Sequence, residues 1–176
     1  AGAWTPVVQG VETININLDL FTGGAFDADE VTGATITAFS NRLGFNGEFA
    51  ISNLAANNVV AGTNISDLTV TGLTTGTVDA GAADTVAVTG SATKTANVTV
   101  NGDVDLTVTT AVELALNATA ASTVALTEAG PQVTDITITG SDVTLEVAAA
   151  DADTDTITGA AALVVPTAAD TVLSDV

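Results

Sequence analysis

Between Asp84 and Thr127 one kind of segment keeps returning: Thr85-Val86-Ala87-Val88-Thr89-Gly90, Asn97-Val98-Thr99-Val100-Asn101-Gly102, Leu106-Thr107-Val108-Thr109, Leu114-Ala115-Leu116 and Val124-Ala125-Leu126. In each, a branched aliphatic residue alternates with Thr, Ala or another small residue, the period-2 pattern of a strand with one buried and one solvated face. The segments follow one another at roughly eight to twelve residues, with no helical periodicity between them, so the chain reads as all-β. The series opens earlier, at Leu68-Thr69-Val70-Thr71-Gly72, and continues through Asp135-Ile136-Thr137-Ile138-Thr139-Gly140, Val143-Thr144-Leu145-Glu146-Val147 and Asp155-Thr156-Ile157-Thr158-Gly159. Gly72, Gly81 and Gly90 each close a segment.

Equivalent aliphatic positions recur at about thirty residues (Val78, Val108 and Ile138), while alternate segments recur at about twenty. Either distance fits one coil of a solenoid, with three or with two strands per turn. Stacked coils set each inward residue on its counterpart in the next coil, which favours β-branched residues and Ala and disfavours aromatic bulk. The aromatics behave accordingly: Trp4, Phe21, Phe26, Phe39, Phe45 and Phe49 all lie in the first 49 positions. The expectation is a right-handed parallel β-solenoid over residues 65–176, preceded by a smaller irregular β region over residues 1–64 that contains the aromatics. The alternative is an immunoglobulin-like β-sandwich, whose core of about 10 Å Leu and Val could fill. Within the first region, Thr13 to Leu20 alternates without a break and predicts a strand with Ile14, Ile16, Leu18 and Leu20 on one face. Thr35-Ile36-Thr37 predicts a shorter one, and Asn46-Gly47 suggests a hairpin turn between Phe45 and Ile51. A short helix over 38–43 is the competing reading of that stretch.

Charge narrows the function. Lys94 and Arg42 face 21 acidic residues, a formal net charge of -19. Such a surface repels phosphate backbones and anionic membranes and attracts divalent cations, so neither nucleic acid nor membrane insertion is expected. The longest apolar run near the end, Ala160 to Val165, is too short to span a bilayer. A chain that begins at Ala1 without a basic leader is expected to be a processed product or an excised fragment.

Without Cys or His there are no thiolate or imidazole metal ligands and no Ser-His or Cys-His nucleophile. No Gly-rich loop carries the Lys of a phosphate cradle. Paired carboxylates could serve glycoside hydrolysis, but the region after Phe49 lacks the rings of a sugar platform, so no enzyme is expected. Carboxylates suit calcium instead, which takes about six to eight oxygen ligands. The candidates are Asp151, Asp153 and Asp155 at alternate positions; Asp27 and Asp29, beside Glu30, in one loop; Asp79 and Asp84 flanking Gly81; and Asp103 and Asp105 bracketing Val104. None matches an EF-hand or the Gly-Gly-x-Gly-x-Asp nonapeptide. Asn64-Ile65-Ser66, Asn97-Val98-Thr99 and Asn117-Ala118-Thr119 fit the N-glycosylation tripeptide.

Gly10-Val11-Glu12-Thr13-Ile14-Asn15-Ile16, the stretch from Leu68 through Thr71-Gly72 and Gly76-Thr77-Val78-Asp79 to Gly81, and the Thr, Val, Ala, Asp and Gly bias without Cys resemble bacterial surface-layer proteins and the large repeat adhesins exported by type I secretion. The resemblance implies β-solenoid stretches, Ca²⁺-dependent folding outside the cell and self-assembly into a sheet. The expected function is therefore structural: a secreted, self-associating segment of an extracellular cell-surface array, with itself as partner. Two alternatives stand beside it. One is an adhesin module that grips a cell-surface glycan, and the other is a filament subunit that donates its Thr13 to Leu20 strand to a neighbour.

Overall fold

The computed structural model describes residues 4–20, 23–43, 46–81, 83–91, 94–109, 111, 113–129, 133–140, 142–147, 156–159 and 161–164. Among them the chain is strand and turn. The first eight strands are β1 (Thr13–Asn17), β2 (Gly23–Asp27), β3 (Thr35–Phe39), β4 (Gly47–Ser52), β5 (Asn58–Ala61), β6 (Ile65–Thr71), β7 (Thr77–Asp79) and β8 (Thr85–Thr89). The second eight are β9 (Thr95–Val100), β10 (Val104–Thr109), β11 (Glu113–Ala118), β12 (Ser122–Ala129), β13 (Asp135–Thr139), β14 (Val143–Val147), β15 (Thr156–Thr158) and β16 (Ala161–Val164). Odd-numbered strands form one eight-stranded sheet in chain order, and even-numbered strands form the other. Every strand pairing is parallel. The fold is a parallel β-solenoid with two strands per coil. Parallel neighbours dispose of the sandwich alternative, which is built from antiparallel strands.

The twenty-residue spacing is the coil. Thr95 pairs with Glu113, 18 residues on, and at the other extreme Gly23 pairs with Glu48, 25 residues on. The thirty-residue spacing is one and a half coils, and it moves a residue from one sheet to the other: Val78 lies in β7 and Val108 in β10.

The core is a stack of like on like. In the first sheet Ile14, Ile36, Val59, Val78, Val98, Leu116 and Ile138 follow one another in register. In the second, Phe26, Ile51, Val70, Val88 and Val108 do the same. From Ile36 onward these side chains are buried, whereas Ile14, in the first coil, is only partly covered. Burying one such side chain contributes roughly 1.5–3 kcal/mol.

Phe26 and Phe49 sit where the coils take the most residues. Both are buried, and Phe49 pairs with Gly24, whose missing side chain leaves room for Leu18: a Cβ there would come within 2.8 Å of Leu18 Cδ2. Trp4 packs edge-on against Phe26 at 5.5 Å. The coils that hold these residues, Thr13 to Asn58 in the first sheet and Gly23 to Glu48 in the second, take 22 to 25 residues each. Across residue 64 the ladders run on, β4 pairing with β6 and β5 with β7.

Three local expectations fail. The Thr13 to Leu20 alternation is strand only as far as Asn17, because the Asp19 N–H donates to Asn17 Oδ1 (2.8 Å) and turns the chain. Leu18 is then buried at the corner and Leu20 left 90% exposed. Asn46-Gly47 makes no hairpin: Gly47 opens β4, which lies parallel between β2 and β6 because Phe49 and Ile51 extend the inner columns. The 38–43 helix is absent, and Ala38 and Phe39 complete β3.

Candidate functional site

With register settled, outward residues fall into columns. On the second sheet Gly23, Glu48, Asp67, Thr85, Asp105, Ala125 and Glu146 stand one above another. Glu48 and Asp67 are therefore direct neighbours about 4.8 Å apart at Cα. They border an open cleft of about 420 Å³ whose rim also holds Ala50, Thr69, Thr85 and Ala87. A second pair of the same kind lies on the first sheet, where Glu113 is opposite Asp135 beside a cleft of about 300 Å³ with Thr95 and Thr156. The Thr95 hydroxyl donates to Glu113 Oε2 at 2.6 Å. Like charges directly opposite on neighbouring strands destabilise a sheet.

The other outward columns of the first sheet are nearly neutral. One runs Thr13, Thr35, Asn58, Thr77, Asn97, Ala115, Thr137, Thr158, and the adjacent one Asn15, Thr37, Val60, Asp79, Thr99, Asn117, Thr139.

The sequence-predicted calcium ligands scatter over this framework. Asp84 and Asp103 share a corner cavity of about 260 Å³ with Gly81 and Asn101. Asp103 Oδ1 also accepts the Thr123 N–H of the next coil (2.8 Å). Asp105 joins the acidic column on the second sheet. Asp79 stands on the opposite sheet, at the end of β7, its Oδ1 accepting the Gly81 N–H (2.9 Å), and Asp84 precedes β8. Asp27 and Asp29 share a loop, but Asp27 Oδ1 accepts from Asn53 Nδ2 (2.9 Å) and the Asp29 N–H (3.1 Å). Those two bonds, the Asn53 amide first, hold the Asp27 carboxyl below the usual carboxylate range. Asp151, Asp153 and Asp155 lie outside the described residues. Among the described residues no three acidic side chains gather at one point, so an ion at any of these places would take most of its shell from carbonyls and water.

Sequence reasoning missed Glu48, Asp67, Glu113 and Asp135. The signal that finds two of them is position: Glu48 and Asp67, like Asp105, each come just before a buried Phe or Leu, and a twenty-residue period stacks them. It missed Asp19 too, whose carboxylate accepts from the Ser40 hydroxyl (2.8 Å) and the Asn41 N–H (2.6 Å), bonds that lower its pKa in that order.

Of the glycosylation tripeptides, Asn64 is engaged, its Nδ2 donating to the Ser40 carbonyl at 2.9 Å. Asn97 and Asn117 stand on the outer face of the first sheet. The class defined by these observations is a two-sheet parallel β-solenoid with acidic outer columns. No family model, curated protein or solved structure matches the chain.

Proposed function

We propose that the chain is a structural rather than catalytic module, a rod-like segment of an extracellular cell-surface array that associates with copies of itself and is stabilised by Ca²⁺. The observation that carries this reading is the stacking of carboxylate on carboxylate, Glu48 on Asp67 and Glu113 on Asp135, in a chain with two cationic side chains and a net charge of -19. A ladder that sets acidic residues on neighbouring strands about 4.8 Å apart has a use for a divalent cation, and calcium is the abundant one outside cells. The end strands of the two sheets, β1 and β15 in one and β2 and β16 in the other, supply the self-association wherever their N–H and C=O groups take a neighbour's strand. The surface-layer resemblance agrees with both parts.

Circular dichroism, light scattering and negative-stain imaging with Ca²⁺ and with EDTA test the proposal. The expected result is a higher unfolding temperature and larger ordered particles with Ca²⁺. A chain whose fold and assembly state are indifferent to chelation removes calcium from the account, and one that stays monomeric in both conditions removes the array.

A further inference from the structure

Two Asn-Gly pairs occur in the chain, Asn46-Gly47 and Asn101-Gly102, and the fold treats them differently. In such a pair the Gly backbone nitrogen can attack the side-chain amide of Asn, since no Cβ shields it and the Gly backbone turns freely. Gly47 is buried in β4, and its N–H donates to the Asn64 carbonyl (3.1 Å). Its nitrogen is held between coils. Asn101 and Gly102 instead form the bend between β9, which ends at Val100, and β10, which begins at Val104. Asn101 is exposed, and a Cβ on Gly102 would meet nothing within 4 Å, so a ring has room to close there.

Thr119, from the coil that follows, touches the reacting amide. Its Oγ1 lies 3.0 Å from Asn101 Oδ1 and 3.2 Å from the Val100 carbonyl oxygen, so one hydroxyl proton serves two acceptors. Directed at Oδ1, it stabilises the negative charge that this oxygen gains when Cγ is attacked. Hydrogen bonds to a charged oxygen are stronger than those to a neutral one, so the hydroxyl favours the reacting arrangement over the resting one.

We infer that Asn101 is a self-modification site, at which the folded chain deamidates without an enzyme and with the Thr119 hydroxyl assisting. Gly102 N loses its proton and bonds to Asn101 Cγ; the Cγ–Nδ2 bond breaks and ammonia leaves, giving a succinimide. Water then opens one of the two C–N bonds of the ring and leaves Asp or isoaspartate. Either product puts a new carboxylate at the corner cavity that residue 101 lines with Asp84 and Asp103. Isoaspartate also adds a methylene to the main chain of the bend. The surface therefore grows more negative as the chain ages, whether or not it binds Ca²⁺.

The test is peptide mapping by mass spectrometry on the whole chain held in warm, mildly alkaline buffer, with an isoaspartyl methyltransferase assay as the second readout. Reaction at Asn46 waits on local opening of the ladder, so in the folded chain Asn101 should convert about tenfold faster or more, and in urea the two rates should converge. Gly102→Val should slow the conversion strongly with an unchanged circular dichroism spectrum, because Gly102 has space around it and no positive φ. Thr119→Val should slow it several-fold, and Thr119→Ser should restore it. The inference is overturned by equal rates at Asn46 and Asn101 in the folded chain, or by an Asn101 that keeps its amide while the urea-unfolded chain loses it. It is also overturned by a folded Thr119→Val variant that reacts as fast as wild type.

Discussion

The side chains that hold one coil to the next are short polar ones at the corners. Asn57 is buried, and it accepts the Ala34 N–H at Oδ1 (3.0 Å) while its Nδ2 donates to the carbonyls of Val31 (2.8 Å) and Leu54 (3.0 Å). Asn57→Ala strands backbone groups in the interior and should lower the unfolding free energy by roughly 2–4 kcal/mol, measurable by urea denaturation. Asp19 clamps the following corner through Ser40 and Asn41, and its pKa is lowered by those bonds. A carboxylate depressed in the folded state adds stability above its unfolded pKa of about 4 and loses it as pH falls through the folded value. Asp19→Ala should therefore melt below wild type at pH 7, and the two melting curves should converge in strong acid. A gap that persists there would mean that the carboxylate's charge is not what holds the corner. None of these roles is visible in the sequence, where Asp19 falls inside the predicted Thr13 to Leu20 strand and Asn57 carries no signal of its own, because the partners in the neighbouring coil lie 21 to 26 positions away.

At the scale of strands much more was legible. The Val-Thr alternation identified the strands, since parity within a strand decides which face is buried, and the lack of aromatics after Phe49 identified the slim coil. The number of strands per coil was not legible. Twenty and thirty residues both bring an aliphatic residue onto an aliphatic residue when Val, Ile and Leu fill the inner columns of both sheets. Turn chemistry also escaped the pattern: Leu20 continues the alternation of Ile14, Ile16 and Leu18, yet the Asn17–Asp19 turn puts it in water. The packing itself makes a prediction. Val78 lies between Val59 and Val98 in the inner column, fully buried. Val78→Phe should destabilise by about 1–3 kcal/mol or more, through overpacking. Because each coil contacts only its neighbours, the loss of hydrogen-exchange protection should centre on β5, β7 and β9 rather than spread evenly.

For the whole molecule the governing quantity is charge. A net charge of -19 on a rod opposes both compaction and the approach of a second rod, and the opposition is concentrated where the ladder stacks acid on acid. Screening and specific binding can be told apart. Sodium chloride at matched ionic strength screens exposed charges over a Debye length of about 8–10 Å, with no preference for any pair. A divalent ion held between Glu48 and Asp67 stabilises by mass action, in proportion to its occupancy. Glu48→Gln with Asp67→Asn removes the repulsion and the ligands together. In EDTA this variant should melt above wild type, and on adding Ca²⁺ it should gain less than wild type gains, while the response to NaCl changes little. Thermal melts of both proteins in EDTA, NaCl and CaCl₂ decide the matter. If the variant gains as much from Ca²⁺ as wild type does, the ion acts elsewhere on the surface and the stacked pair on the second sheet is only tolerated.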